Sequence, residues 1–175
     1  VEHKLLVGLD YSYLSLDGGI GFGEASDFNF NTGQPLGPTF DPPFNYSRYR
    51  QTQSQTGIYI QEQAKFDRWI VTLTGRQDWV DTKDEDLLNY TTENIDDSEF
   101  TGRVGLTYLF DNGIAPYATY STSFAPNMGV DIDGNPFNPT TARQIEAGVK
   151  YAPVGFDGYF TAAVFQINQE NGLVT

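Results

Sequence analysis

The chain has 175 residues, no cysteine, one histidine and a formal net charge of −13 at neutral pH. Nucleic-acid binding is disfavoured, because neutralising phosphates needs clustered Lys and Arg, and here 23 acidic residues face 10 basic ones. The missing cysteines exclude disulfides and thiolate metal sites, and the single His3 allows neither a multi-histidine metal site nor a histidine-based catalytic triad.

Membrane-crossing and export signals of the helical kind are missing from the sequence. No run of eighteen apolar residues is present, so no transmembrane helix is predicted. The first residues, Val1 to Lys4, do not have the charged and then apolar regions of a signal peptide. We therefore expect a mature or truncated chain.

Alternation of apolar and polar residues predicts seven β-strands and no helix. The first strand has Leu5, Val7 and Leu9 on one face and Gly8 and Asp10 on the other. The fifth strand is predicted from composition only, because its apolar residues do not all fall on one face of an alternating pattern. The last sets Ala163, Phe165 and Ile167 opposite Ala162, Gln166 and Asn168. The predicted strands are 4–16, 56–66, 69–80, 100–110, 114–124, 143–151 and 159–168.

The connections between these strands alternate in length. Long polar or Gly/Pro-rich segments cover 17–50, 81–98 and 125–141, and short turns lie at 67–68, 111–113 and 152–157. Asn112-Gly113 is a strong hairpin signal, since both residues accept a positive φ. Long loops at one end and short turns at the other are typical of outer-membrane barrels, with an apolar face towards lipid and a polar face towards the lumen.

Charged residues on the polar faces of the predicted strands indicate that these faces line a water-filled barrel lumen. In a dry core such charges would be very costly. Arg76 with Asp78, and Arg103 with Glu146, could pair across strands. The polar-face charges are Arg76, Asp78, Arg103, Glu146 and Lys150. Alternation alone also describes a half-buried soluble sheet, so a β-sandwich remains an alternative at this point.

Five ordered motifs give the chain a specific resemblance. Residues 55–63, 73–79, 108–117 and 120–126 are similar to the "TGxYxQDQ", "LGGRYDW", "YLFDNGxxPY" and "YSESFEP" segments of TonB-dependent siderophore receptors. Residues 134–139 followed by 144–151 are similar to the family's "GNxFxPxxxxQYEVGVKY". The similarity runs from about Gln51 onward and is closest to the ferrichrome and hydroxamate-siderophore branch.

The resemblance implies an all-β, antiparallel transmembrane barrel, of which this chain holds about seven of twenty-two strands. Residues 1–175 would be part of the barrel domain, with the plug domain and TonB box lying outside the chain. The implied function is a bacterial outer-membrane receptor, not an enzyme, that binds ferric siderophores and imports them with TonB-derived energy. The alternatives are a passive porin-like channel and a soluble β-sandwich carbohydrate-binding module.

The resemblance also implies partners. These are a ferric siderophore as ligand, with no cofactor; the TonB-ExbB-ExbD complex, reached through the missing N-terminal region; and lipopolysaccharide or outer-membrane lipid.

Aromatic faces with nearby hydrogen-bond donors suit a compact ferric hydroxamate. Residues 26–31 resemble the family's "DFDF" segment, which implies that Phe28, and secondarily Phe30, contact the ligand. The alternative is that these rings only pack the loop against its neighbours.

No metal site is predicted. The acidic segment 81–99 is interpreted as solvated carboxylates, with divalent ions bridging lipopolysaccharide as the functional alternative. Residues 131–135 resemble an EF-hand opening, but the position that should hold a bidentate Glu is Ala142, so a turn is predicted there. Gly18 to Gly23 lacks the spacing of a phosphate loop, and a flexible loop is predicted.

Overall fold

The structure is a computed structural model that describes residues 1–24, 27–37, 42–129, 131, 135–153 and 155–173. All regular structure in these ranges is β-strand. Two short strands form a small hairpin, β2 (Phe28–Asn29) with β3 (Gln34–Pro35). The long strands are β1 (Glu2–Ile20), β4 (Ser47–Phe66), β5 (Trp69–Asp86), β6 (Thr91–Tyr108), β7 (Ile114–Ala125), β8 (Thr140–Tyr151) and β9 (Phe160–Glu170).

The seven long strands form one antiparallel sheet in the order β1-β4-β5-β6-β7-β8-β9. The seven predicted strands and the predicted all-β class are thus confirmed, whereas the short β2–β3 hairpin was not predicted. The chain divides into two compact units. The wall unit comprises Val1–Ser12, Gln55–Val80 and Asp96–Thr175, and the loop unit comprises Tyr13–Ser54 and Asp81–Ile95. Within the described ranges, no helix is long and apolar enough to cross a membrane.

The pairing register assigns each face of the wall unit. Val104 of β6 pairs with Tyr120 of β7, which pairs with Ile145 of β8, so these three side chains share one face. In the same way, Thr119 pairs with Glu146 on the opposite face. This register confirms the predicted apolar and polar faces of β6 and β8, called here the apolar face and the polar face.

The register also shows which residues of β7 lie on which face, a question that the sequence left open. Its even-numbered residues lie on the apolar face: Ile114, Pro116, Ala118, Tyr120, Thr122 and Phe124. Its odd-numbered residues are Ala, Ser or Thr, with the exception of Tyr117. The strand does alternate, but Ala115 and Ala125 on the polar face and Thr122 on the apolar face hide the pattern.

β9 departs from the expected pattern of one wholly apolar face and one wholly polar face. Phe165 pairs with Glu146 and Ile167 pairs with Gln144, so both apolar side chains lie on the polar face. Gln166 and Asn168 lie on the apolar face, where the amide of Gln166 donates to the side-chain oxygen of Asn168 at 3.3 Å. Satisfying one amide with another lowers the cost of placing them there.

Two predicted loops are shorter than expected. The predicted connection 81–98 is mostly strand, and only the residues between Asp86 and Thr91 form the turn. Val80, Thr82 and Ile95 are buried, so the β-branched residues of this segment continue the strand pattern despite its many acids. The predicted glycine loop at 18–23 is likewise wrong in part, because β1 continues to Ile20.

Candidate ligand-binding site

An exposed aromatic pair is held in place at the end of the β1–β4 hairpin. The rings of Phe22 and Tyr46 meet edge to face with centroids 5.3 Å apart. The side-chain amide of Asn45 donates to the carbonyl of Phe22 at 2.8 Å, and its oxygen accepts from the Phe22 amide at 2.8 Å. The amide of Tyr46 donates to the carbonyl of Ile20 at 3.1 Å. The Asn45 side chain therefore bonds the main chain of Phe22 as a residue of a neighbouring strand would. These bonds hold Phe22 and Tyr46 next to each other.

Both rings of this pair remain open to solvent, with Phe22 64% and Tyr46 69% exposed. Two large apolar rings, fixed in position but uncovered, form a preorganised contact surface for a ligand. Neither residue was predicted from the sequence. The pair depends on a contact between residues 23 positions apart, for which only Asn45 next to Tyr46 gives a local signal.

The two residues that were predicted to bind ligand, Phe28 and Phe30, lie at the β2–β3 hairpin. Their ring centroids are 6.1 Å apart in an edge-to-face arrangement, and the rings are 52% and 94% exposed. The side chain of Asn29 accepts from the amides of Asn31 and Thr32 and shapes the turn. Their ligand contact stays a prediction. Ser26, the first residue of the motif, lies outside the described residues.

A recess of about 450 Å³ also lies in the loop unit. Its volume falls in the range of small-ligand sites. The guanidinium carbon of Arg48 lies 5.8 Å from the centroid of the Phe44 ring, and Arg50 Nε donates to Asp17 Oδ1 at 2.7 Å. That hydrogen bond raises the pKa of Arg50. The recess is lined by Asp17, Gly18, Gly19, Phe44, Arg48, Tyr49, Arg50 and Leu87.

This recess combines donors with aromatic surface. Arginine presents planar N–H donors and stacks on aromatic rings, which suits carbonyl and hydroxamate oxygens on a compact chelate. The two glycines in the lining have a physical reason. A Cβ on Gly18 would fall 2.5 Å from Cζ of Tyr49, and one on Gly19 would fall 2.7 Å from Cδ1 of Phe44, so these rings occupy the space that side chains would need.

A charged network lies on the polar face of the wall unit. Arg76 donates from Nε and Nη2 to both carboxylate oxygens of Asp78, at 2.7 and 2.6 Å. It also donates from Nη1 and Nη2 to Asp10, at 2.6 and 2.9 Å. Asp78 is only 3% exposed and accepts a further bond from Gln55 at 2.8 Å. Arg76 and Asp78 do pair as predicted, but within β5 and not across strands, and the link of Arg76 to Asp10 on β1 was not predicted.

Gly57 makes this link possible. It lies on β4, between Asp10 on β1 and Arg76 on β5. A Cβ on Gly57 would fall 2.5 Å from Cζ of Arg76, so the guanidinium occupies the place of a side chain and reaches over the strand. Arg76 also lies 5.9 Å from the centroid of the Tyr59 ring.

The predicted pairing of Arg103 with Glu146 is wrong. Glu146 accepts from the Tyr117 hydroxyl at 2.7 Å and from the Gln144 amide at 3.0 Å, while Arg103 makes no ion pair with any described residue. The register explains the difference. Arg103 aligns with Ser121 and Gln144, one step along the sheet from the row that contains Glu146.

No group of three or more acidic or histidine side chains in the described ranges could hold a metal ion. In the predicted turn at 131–135, the amide of Asn135 donates to Asp131 Oδ1 at 2.8 Å, and residues 132–134 lie outside the described residues. The acidic tip of the β5–β6 hairpin uses Asp86 to accept from the amides of Leu88 and Asn89, at 2.8 and 3.0 Å. These bonds hold the pKa of Asp86, which lies in the hairpin tip, below its usual value.

The fold and its two faces define a class, the wall of an antiparallel β-barrel with one apolar and one polar surface. Comparison with known proteins supports this class. The family model described as "TonB dependent receptor-like, beta-barrel" matches residues 1–175, and the chain belongs to this family. The family is one of receptors and transporters, not enzymes. The porin and sandwich alternatives are not favoured.

Individual relatives give the same result. The chain is 40% identical over 181 residues to the ferrichrome outer membrane transporter/phage receptor of Escherichia coli K12, covering 99% of this chain and 24% of that protein. It is 39% identical to the ferrioxamine B receptor of Salmonella typhimurium SL1344, covering 98% of this chain and 24% of the receptor. The chain thus spans about a quarter of the length of these relatives.

Among solved structures, the siderophore receptor PiuA from Acinetobacter baumannii matches with a TM-score of 0.70 at 22% identity. The match covers 93% of this chain and 28% of that one. At this identity the similarity shows the fold.

Proposed function

We propose that the protein containing this chain is a bacterial outer-membrane receptor that binds a ferric siderophore of the hydroxamate class and imports it. The observation that carries the proposal is the exposed Phe22–Tyr46 pair fixed by Asn45. The family membership and the ferrichrome and ferrioxamine names of the relatives support the same ligand class.

The placement in a membrane is supported by the two tryptophans of β5. Trp69 and Trp79 lie ten residues apart on the apolar face and are 45% and 44% exposed. Ten residues rise about 33 Å along a strand. A strand tilted by about 40° then spans about 25 Å of membrane thickness, which equals the height of the apolar band between aromatic girdles. The two rings would therefore mark the two interfaces of the outer membrane.

The whole protein is proposed to be a twenty-two-stranded barrel that contains residues 1–175 in its wall and a plug domain elsewhere in its sequence. Import would draw energy from the TonB-ExbB-ExbD complex, contacted by a region outside this chain. Membership of a TonB-dependent receptor family supports this arrangement.

Lipopolysaccharide is a further proposed partner. The loop unit presents the exposed guanidinium of Arg50, and Lys83 Nζ lies 2.7 Å from Glu85 Oε1 with 46% of its side chain exposed. Cations of this kind can bind the phosphates of an anionic lipid. Replacing both residues with Gln should reduce the lipopolysaccharide that copurifies with the full-length protein, and unchanged copurification would count against this partner.

The ligand class can be tested with the full-length protein in detergent. Intrinsic fluorescence would be titrated with a ferric trihydroxamate, a ferric catecholate and ferric citrate, and with the iron-free trihydroxamate as control. We expect the ferric trihydroxamate to bind at least tenfold more tightly than the others. Equal or weaker binding of the trihydroxamate would contradict the proposed class. Energy-dependent uptake that persists in cells without TonB would contradict the proposed transport mechanism.

A further inference from the structure

The loop between β7 and β8 is internally hydrogen-bonded. The amide of Phe137 donates to the carbonyl of Gly129 at 3.2 Å, and the amide of Asp131 donates to the carbonyl of Asn135 at 2.8 Å. These bonds bring the two sides of the loop together. They also provide main-chain amides whose protection reports whether the loop is ordered.

One side chain closes the base of this loop and binds a third segment. Asn127 Nδ2 lies 2.7 Å from the carbonyl oxygen of Asn138, 3.2 Å from Thr140 Oγ1 and 3.1 Å from the carbonyl oxygen of Asn171. Asn138 and Thr140 end the loop, whereas Asn171 follows the last residue of β9. A single amide thus joins the start of the loop to its end and to the segment after β9.

Two reciprocal bonds reinforce this contact. The Thr140 hydroxyl lies 3.0 Å from the carbonyl oxygen of Asn171, and Asn171 Nδ2 donates to the carbonyl of Pro139 at 3.2 Å. Asn171 has a φ of 57°, a left-handed conformation that asparagine tolerates better than most residues. That conformation turns the chain after β9 so that its carbonyl meets Asn127.

We propose that Asn127, Thr140 and Asn171 form a clasp that couples the β7–β8 loop to the segment after β9. The two segments order and loosen together, because the bonds that hold one are the bonds that hold the other. The clasp is a conformational device of the wall unit and does not depend on the identity of the ligand.

Hydrogen–deuterium exchange of the full-length protein in detergent tests this coupling. Peptides covering 127–140 and 166–173, the second including the paired end of β9, would be followed in wild type, Asn127→Ala and Asn171→Gly, the glycine being chosen because it accepts a positive φ. Asn127→Ala should speed exchange in both peptides at least about tenfold. Asn171→Gly keeps the carbonyl that accepts from Asn127 and Thr140 and loses only the bond to Pro139, so it should speed exchange at Asp131 and Phe137 less than Asn127→Ala does.

The pair Thr140→Val and Thr140→Ser serves as a matched control. Valine keeps the shape and removes the hydroxyl, so it should loosen both peptides, whereas serine should not. Exchange of the β8 amides between Gln144 and Val149 shows whether a variant disturbs the sheet itself. If Asn127→Ala disturbs that strand, the comparison of Thr140→Val with Thr140→Ser tests the coupling instead. Either Asn127→Ala or Thr140→Val affecting one segment only would overturn the proposal.

Discussion

Tyr59 lies across Gly8 on the polar face of the sheet, where a Cβ on Gly8 would fall 2.6 Å from Cε1 of the ring. The same relationship recurs between Tyr117 and Gly148, where the distance is 2.8 Å. In each case the ring occupies the space above a neighbouring strand that a side chain would need. The polar face therefore carries tyrosines that lie flat against it.

Gly8→Ala should lower the free energy of unfolding by about 1–3 kcal/mol, because the methyl group overlaps the Tyr59 ring. The same substitution in a Tyr59→Ala background should cost less than half as much, since the clash is gone. The urea midpoint of the full-length protein in detergent would measure both. Equal costs in the two backgrounds would show that the ring does not occupy the space above Gly8.

The two carboxylates that bind Arg76 should contribute unequally to stability. Asp78 is 3% exposed, so Asp78→Asn weakens a buried ion pair and should cost about 2–3 kcal/mol. The Asp10 side chain is 47% exposed, so solvent screens its ion pair and Asp10→Asn should cost much less. Urea midpoints of the two isosteric variants give the comparison. A larger effect at Asp10 would contradict this ranking.

Asn45→Ala should weaken binding of a ferric trihydroxamate by about 5- to 30-fold. The substitution removes both bonds to Phe22 and frees the aromatic pair without deleting either ring. Fluorescence titration of the full-length receptor would measure the dissociation constant. Asn89→Ala is the control, because Asn89 belongs to the same unit and its amide binds Asp86. If both variants bind alike, the fixed pair is not part of the site.

Phe28→Ala should also weaken trihydroxamate binding, with Phe30→Ala having the smaller effect. This ranking follows the resemblance of the segment to the family's ligand-contacting motif. Both variants would be titrated beside wild type. Because both rings are at least half exposed, replacing one should leave the fold intact. Unchanged affinity in both variants would remove these residues from the site.

The tip of the β5–β6 hairpin should become disordered in acid. The pKa of Asp86 is lowered from 3.8 by bonds from Asn89 and Leu88, so its contribution is fully present above the unfolded value. It is lost as pH falls through the lower folded value. Exchange of the Leu88 and Asn89 amides should therefore accelerate beyond its intrinsic pH trend only below about pH 4. Asp86→Ala should show this faster exchange at neutral pH. An acceleration in wild type near pH 6 would point to another group.

Much of the fold could be predicted from the sequence because strand faces alternate with a fixed period. The failures have local causes. The acids between Asp81 and Glu99 suggested a loop, but Val80, Thr82 and Ile95 extend the hairpin. The placement of Phe165 and Ile167 on the polar face could not be predicted, because alternation shows two faces without showing which one a neighbouring strand shares.

The candidate site was less predictable than the fold. Arg76 with Asp78 could be found, since both lie on one face of one strand. The bond to Asp10 could not, because it crosses an intervening strand at a glycine. Phe22 and Tyr46 are separated by a segment whose length and composition give no indication that its ends meet.

The amide clamp of Asn45 on Phe22 has a consequence for the segment between them. Because the clamp fixes both ends, residues can be added to or removed from the part of 24–43 that follows the β2–β3 hairpin without moving the rings. This stretch therefore tolerates variation in length. Receptors can differ there in which ligands they admit while retaining the same aromatic contact. It is also where an epitope or fluorophore could be inserted with the least effect on ligand binding.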